Sequence, residues 1–192
     1  MTQDNVFELA HGFVERWEGG YDDDPADSGG VTNHGVSLAF LTDLFEQGEA
    51  PFLNSLGITG ANRENIKKLT KEHAKALFKL AFWEKPKTYL LEDAVAIAFY
   101  DTAVNCGAYR AAKLLQAAVG AEQDGIVGPK TRSLVKMYGS YSVAMNMIAK
   151  RDNFYRNLAE KRPKDKKFLK GWLNRTADLR KLIDGVYGDD FK

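Results

Sequence analysis

The sequence is short of residue types that several classes of protein need. It contains one cysteine, Cys106, so no disulfide can form within the chain, which favours synthesis in a reducing cytoplasm. The histidines, His11, His34 and His73, are scattered and Cys106 has no partner, so we expect no metal site. No uncharged apolar run reaches the roughly 18 residues that suggest a membrane-spanning helix. The first residues lack a basic segment followed by an apolar core, so we expect no secretory signal.

The overall composition is that of a folded globular domain. Of the 192 residues, 44% are hydrophobic and 28% are charged, close to the averages for soluble domains. A chain of this length favours one compact unit, which we expect to have two lobes. It is long enough to bury a sizeable core without a disulfide or a structural metal.

The net charge of +1 hides an uneven distribution along the chain. Residues 1–60 contain eleven acidic residues and one basic residue, whereas residues 150–180 contain eleven basic and four acidic residues. This split predicts an acidic site early in the chain and a basic surface late in it that suits a polyanion. For most individual charges, solvation of helix faces remains the preferred explanation.

Helical periodicity dominates the chain and predicts an all-α fold. The Gly- and Asp-rich segment from residue 20 to residue 37 predicts a loop with a short irregular hairpin around Gly29-Gly30. Residues 91–105 are nearly uncharged, so we expect them to form the central core helix. The predicted helices cover residues 3–18, 38–47, 63–69, 70–83, 91–105, 109–119, 129–138, 141–160 and 166–184.

Glu18 is the first candidate for a catalytic carboxyl group. It falls in the last turn of the predicted first helix, where unpaired carbonyls present the negative end of the helix dipole. Four aspartates between residues 22 and 27 add like-charge repulsion, and both effects favour the protonated form of Glu18. A protonated carboxyl is what a glycosidase needs to protonate a leaving-group oxygen, and Asp27 could supply the second carboxylate. From residue types alone, a Glu beside a solvated acidic loop explains the pattern as well.

Other motifs fail or favour a structural role. The aspartates that begin at Asp22 do not fit the calcium-binding EF-hand pattern, because Ala26 takes a position that needs an oxygen ligand. Cys106 follows a nearly uncharged helix and is expected to be an inert buried thiol. The pairs Asp124-Gly125 and Gly128-Pro129 predict a tight turn and the start of the next helix.

Polar and aromatic residues of the helix 91–105 are further candidates. Asp101 and Asn105 lie four residues apart and share one helix face, where contact with a sugar or stem peptide and buried bracing explain them equally well. Tyr100 could stack on a sugar ring, although packing in the core is the commoner role of such a residue. Tyr21, in the loop beside Glu18, is the better candidate for substrate contact.

Several segments of the sequence resemble glycoside hydrolase family 108, whose members are lysozyme-like muramidases found as bacteriophage endolysins and as bacterial proteins described as secretion activators. The segments are EGGYDDDPADSGGVTNHGVS at residues 18–37, ALFKLAFW at 76–83, FYDTAVNCG at 99–107, LLQ at 114–116, DGIVGPKT at 124–131 and FLKGWLNR at 168–175. The segments at 114–131 are similar to the family's C-terminal peptidoglycan-binding module. The resemblance covers nearly the whole chain.

The resemblance implies an all-α, lysozyme-like fold that hydrolyses the β-1,4 bond between N-acetylmuramic acid and N-acetylglucosamine, with Glu18 as the catalytic acid. The wider phage-lysozyme group has an Asp nine residues after the Glu and then a Thr. Asp27 matches the Asp, and Thr32 follows one position closer than in that group, so either residue could position water and Asp27 could instead brace the turn. The candidate substrate-binding residues are Tyr21, Asn33, His34, Tyr100, Asp101 and Asn105.

The sequence therefore predicts a monomeric peptidoglycan hydrolase that needs no cofactor and no metal. We expect a catalytic lobe over residues 1–88 and a helical peptidoglycan-binding lobe over residues 89–192, whose basic stretch suits anionic envelope polymers. We expect a phage endolysin, made in the host cytoplasm and acting on the wall in the periplasm or outside. Two other classes are a non-catalytic peptidoglycan-binding or secretion-regulating protein and a nucleic-acid-binding protein. Residues 161–170 lack the interleaved aromatics that nucleic-acid binding favours, so no nucleic acid is expected.

Overall fold

The computed structural model describes residues 1–19 and 31–188. Over these residues the chain forms ten α-helices and one two-stranded hairpin, which confirms the predicted all-α class. The helices are α1 (Gln3–Trp17), α2 (Leu38–Glu46), α3 (Ala50–Ser55), α4 (Arg63–Lys68), α5 (Lys71–Phe78), α6 (Asp93–Cys106), α7 (Ala108–Val119), α8 (Pro129–Tyr138), α9 (Ser140–Lys161) and α10 (Leu169–Tyr187). The hairpin pairs β1 (Thr32–Asn33) with β2 (Val36–Ser37). Of the helices described, none is long and apolar enough to cross a membrane.

Two local features differ from the predicted helices. Helix α3 has no counterpart among them, because its six residues are too few to show a helical repeat. The predicted helix at 70–83 is divided: α5 ends at Phe78, and Lys79–Glu84 continue as a π-helical turn that buries Trp83. Thr70 is the N-cap of α5, since its hydroxyl accepts a hydrogen bond from the backbone N–H of His73 at 3.2 Å.

The chain forms two compact units. The larger unit comprises Met1–Val14 and Leu80–Lys192, and the smaller unit comprises Glu15–Lys79. Most of α1 is therefore part of the same compact unit as the C-terminal helices. The division of function near residue 88 stays a prediction.

The core of the larger unit forms around α6. All ten residues from Ala94 to Ala103 are buried, and α6 packs against α7 and α9, while α9 also packs against α10. An aromatic cluster joins α1 to this core: the ring centroid of Phe7 lies 5.4 Å from that of Trp83 and 5.6 Å from that of Tyr100. The hydroxyl of Tyr100 also hydrogen-bonds with His11 Nδ1 at 2.9 Å.

A buried ion cluster links three helices of the same unit. Arg151 on α9 donates a hydrogen bond from Nη1 to Asp101 Oδ2 at 2.5 Å, and Arg175 on α10 donates from Nε to Asp101 Oδ1 at 2.9 Å. Burial by itself raises the pKa of the Asp101 carboxyl, but the two guanidinium groups outweigh it and hold the pKa below its usual value. Asp101 is therefore an ionised brace between α6, α9 and α10.

The smaller unit holds the hairpin against a helix end. The Asn33 side chain donates hydrogen bonds to the backbone carbonyls of Ile66 at 3.0 Å and Leu69 at 3.2 Å. These carbonyls lie at the C-terminal end of α4, where helical backbone groups lack partners. At the other strand, the Ser37 hydroxyl accepts a hydrogen bond from the Phe40 N–H at 3.1 Å and caps α2. Both strands are therefore tied to helices.

Candidate functional site

Glu18 lies directly after the last residue of α1 and is half-buried. The predicted helix included it, but the structure ends the helix one residue earlier, at Trp17. The side chain therefore extends from the carbonyl end of α1. The same helix end is tied to α5, because Glu15 forms an ion pair with Lys71 at 2.7 Å.

The hairpin supplies the surface against which the Glu18 carboxyl lies. Asn33 pairs with Val36, so His34 and Gly35 form a two-residue turn. Both have positive φ, +49° for His34 and +78° for Gly35, which is the backbone pattern of a type I′ turn. A His-Gly pair meets this demand because glycine adopts positive φ without steric penalty.

Gly35 allows the Glu18 side chain to approach the turn closely. A β carbon placed on Gly35 would lie 2.6 Å from Oε2 and 2.9 Å from Cγ of Glu18, closer than such atoms can be without displacement. The position therefore needs glycine for two independent reasons, the positive φ and the space that the carboxyl group occupies. This contact brings a carboxyl group and a rigid backbone turn together at one place in the smaller unit.

The residues predicted to lie around Glu18 differ in their burial and in their contacts. Thr32 is half-buried on β1, opposite Ser37, and His34 is half-buried in the turn. Asn33 is buried, and its amide is used in anchoring the hairpin to α4. Asp27 and Tyr21 lie outside the described residues.

The candidates on α6 make contacts within the larger unit, Tyr100 and Asp101 as buried residues and Asn105 as an exposed one. Tyr100 and Asp101 are fully buried, Tyr100 against His11 and Asp101 between its arginines. The oxygen of Asn105 accepts a short hydrogen bond from the hydroxyl of Tyr155. Of the two explanations that the sequence left open, these contacts favour buried bracing for Asp101, whereas Asn105 is exposed and stays a candidate for substrate contact.

Two features were missed by the sequence interpretation. The first is the role of Gly35, for which the signal was present, since a glycine in a two-residue turn between short strands predicts positive φ. The second is the pairing of Asp101 with the arginines of α9 and α10, whose distance along the chain hides it from local patterns. Across residues 1–19 and 31–188, no group of three His, Cys, Asp or Glu side chains is arranged to hold a metal ion.

Comparison with known proteins identifies the family. Residues 12–107 match the family model described as Glycosyl hydrolase 108, and residues 110–177 match the model described as Predicted Peptidoglycan domain. A comparison with curated proteins found no match. A solved structure titled "Structure of Brucella abortus SagA" is similar to this chain, with 29% sequence identity and a TM-score of 0.76 over 94% of each chain. Since the first match spans half of the sequence and includes both Glu18 and the hairpin, this chain belongs to the glycosyl hydrolase 108 family and is a glycoside hydrolase that acts on peptidoglycan.

Proposed function

We propose that this protein is an N-acetylmuramidase of lysozyme type, which cleaves the β-1,4 bond between N-acetylmuramic acid and N-acetylglucosamine with Glu18 as the general acid. One observation carries the proposal. Glu18 follows the carbonyl end of α1 directly, and its carboxyl lies against the Gly35 turn. A general acid must be held in a defined place to reach one oxygen of its substrate, and a helix end and a type I′ turn are rigid supports.

In the proposed reaction, the protonated carboxyl of Glu18 gives its proton to the glycosidic oxygen while the bond between that oxygen and C1 of N-acetylmuramic acid breaks. The positive charge that develops at C1 needs a second carboxylate, for which Asp27 is the candidate. Attack by Asp27 on C1 gives a covalent intermediate and retention of configuration, whereas activation of water by Asp27 gives inversion. Thr32 is the candidate hydroxyl for holding the water.

The remaining parts of the proposal concern the surroundings of this reaction. Tyr21 and His34 are the candidates for contact with the sugars beside the cleaved bond. The exposed lysines and arginine of the basic stretch 161–170 are proposed to attract anionic envelope polymers. We further propose that the protein acts as a monomeric phage endolysin, made in the host cytoplasm and active on the wall in the periplasm or outside.

The product identifies the bond that is cleaved. Mass spectrometry of digested peptidoglycan should find N-acetylmuramic acid at the new reducing ends. Reducing N-acetylglucosamine would instead make the protein a glucosaminidase and overturn the proposed bond.

The role of Glu18 is tested by Glu18→Gln, which keeps the size of the side chain and removes the transferable proton. We expect the lytic rate to fall by about 100-fold or more, the usual scale for loss of a general acid, with an unchanged melting temperature. Glu15→Gln is the matched control, since Glu15 lies on α1 three residues earlier and is paired with Lys71 at the surface. Lysis by Glu18→Gln at the rate of Glu15→Gln would contradict the assignment.

A further inference from the structure

A cavity of about 580 Å³ lies in the larger unit, remote in sequence from Glu18. It is bounded by residues 85–87, by the start of α7 and by the loop that precedes α8. Three cationic side chains line it, those of Lys85, Lys87 and Arg132, and none of its described lining residues is acidic. A concave site of this size with charge of one sign favours a small anionic ligand.

The loop on one side of the cavity is held rigidly from within the protein. The buried side chain of Gln116 donates hydrogen bonds to Asp124 Oδ1 at 2.6 Å and to the Ile126 carbonyl at 3.0 Å. Its own oxygen accepts a hydrogen bond from the Gly125 N–H at 2.9 Å. The carboxylate of Asp124 also accepts from the Ile126 N–H at 2.8 Å, so its charge is used in holding the loop and not in lining the cavity.

Apolar groups form another part of the lining. The ring of Tyr109 lies so close to Gly125 that a β carbon there would be 2.2 Å from Tyr109 Cε2. The Ile126 side chain, which is 69% exposed, lies on the same loop. The cavity thus combines an aromatic ring and an exposed aliphatic group with its cations.

Two of the cations have few contacts inside the protein. Among the described residues, neither Lys87 nor Arg132 forms an ion pair with a carboxylate. Arg132 Nη1 donates to the Val127 carbonyl at 3.1 Å, which fixes the guanidinium at the cavity. Lys87 has a φ of +56°, an uncommon conformation for a residue other than glycine.

We propose that this cavity binds the peptide stem of peptidoglycan, with Lys87 and Arg132 on a stem carboxylate and with Tyr109 and Ile126 against the methyl groups of its alanine residues. The inference rests on the proposed function, because it takes the bacterial wall as the substrate. Carboxylates next to small apolar groups are the chemistry of such a stem. A phosphate-rich wall polymer presents a line of charges and few apolar groups, so it does not match the apolar part of the lining.

The binding test uses a synthetic peptide, L-Ala-γ-D-Glu-L-Lys-D-Ala-D-Ala, titrated calorimetrically into Glu18→Gln protein. Adding Lys87→Asn and Arg132→Gln to the Glu18→Gln protein should raise the Kd for the peptide by about tenfold or more, because charge-assisted hydrogen bonds are lost. Asparagine at position 87 tolerates the positive φ. The control Lys130→Gln, Lys150→Gln removes the same charge from exposed positions outside the cavity and should leave Kd unchanged.

An unchanged Kd in the cavity variant would overturn the proposal. A second result would also overturn it: the protein binds polyglycerol phosphate through Lys87 and Arg132 and does not bind the peptide. If circular dichroism shows that the double variant is unfolded, Lys87→Asn alone carries the same test.

Cleavage of glycan strands stripped of peptides separates this inference from the proposed function. We expect Lys87→Asn, Arg132→Gln with Glu18 intact to cleave stripped strands at the wild-type rate. Failure of the wild-type protein to cleave them would contradict the muramidase activity. The peptide titration would then still test whether the cavity binds the stem peptide.

Discussion

The α carbon of Gly35 lies against the side chain of Glu18. A β carbon at position 35 would stand 2.6 Å from the Oε2 atom of that carboxyl group. The hairpin turn therefore limits where the carboxyl can lie, and its own position is set by the anchoring of Asn33 to α4. A proton donor needs this kind of restraint, because misplacement by about 1 Å can cost on the order of 100-fold in rate.

Gly35→Ala should lower the lytic rate through this contact. The added methyl group displaces the Glu18 carboxyl, and we expect the rate to fall by about tenfold or more. Alanine at positive φ also destabilises the fold, by more than about 1 kcal/mol. Lysis of wall suspensions and thermal unfolding measure the two effects separately.

Gly57→Ala is the matched control for that experiment. Gly57 lies in the same unit with a φ of +75°, close to the +78° of Gly35, but nothing lies within 4 Å of a β carbon there. It should show the loss of stability and keep its activity at temperatures where it is folded. Equal loss of rate in both variants would mean that backbone strain, and not the Glu18 contact, explains the effect.

Asp27→Asn distinguishes two roles for the second carboxylate. If Asp27 is the nucleophile or the base, the lytic rate should fall as far as it does in Glu18→Gln, because the amide can neither attack C1 nor accept a proton from water. If Asp27 braces the turn, the loss should be mild. Steady-state rates of both variants on the same wall preparation give the comparison.

Asp101→Asn should destabilise the larger unit by about 3–5 kcal/mol, since it removes the buried carboxylate that Arg151 and Arg175 share. Urea unfolding measures this difference. Asp178→Asn is the control, because Asp178 pairs with Lys181 at the exposed surface and should change stability little. Similar losses in the two variants would contradict the bracing role of Asp101.

The contribution of Asp101 to stability should disappear in acid. Its pKa is lower in the folded protein than in the unfolded chain, despite burial, because Arg151 and Arg175 stabilise the ionised form. The unfolded chain therefore takes up the proton first, below about pH 4, and the stabilisation is full above that value and lost as pH falls through the folded-state pKa. The difference in unfolding free energy between wild type and Asp101→Asn should shrink accordingly, and a difference that grows in acid would contradict the assignment.

A chain that ends at residue 88 should not fold cooperatively. It would retain Phe7, His11 and Trp83 but lose Tyr100, the residue of α6 that all three contact. Each large side chain left exposed forfeits about 1.5–3 kcal/mol, a large part of a total stability of about 5–15 kcal/mol. Circular dichroism of residues 1–88 is the measurement, and a cooperative thermal transition with retained muramidase activity would contradict this expectation.

The sequence by itself determined most of the described helices and the family. Periodicity sets the helices because each needs only contacts three or four residues apart along the chain. The cap at Thr70 is local in the same way and follows from the chemistry of a hydroxyl. The turn at His34-Gly35 also depends on a local property, the missing β carbon of glycine, but the sequence interpretation expected the hairpin around Gly29-Gly30, outside the described residues. The family segments are likewise continuous stretches of residues.

Only the tertiary structure decided which side chains meet. Asp101 resembled a ligand-binding residue until α9 and α10 brought arginines 50 and 74 residues away onto its two oxygens. Asn33 was a candidate for substrate contact until the hairpin laid its amide on the end of α4. The cavity of Lys87 and Arg132 likewise assembles segments that are distant in sequence. A polar side chain that packing brings within about 3 Å of a protein partner braces the fold, and one without such a partner is available to a ligand. Long-range contacts determine which of the two occurs, and no local sequence pattern contains them.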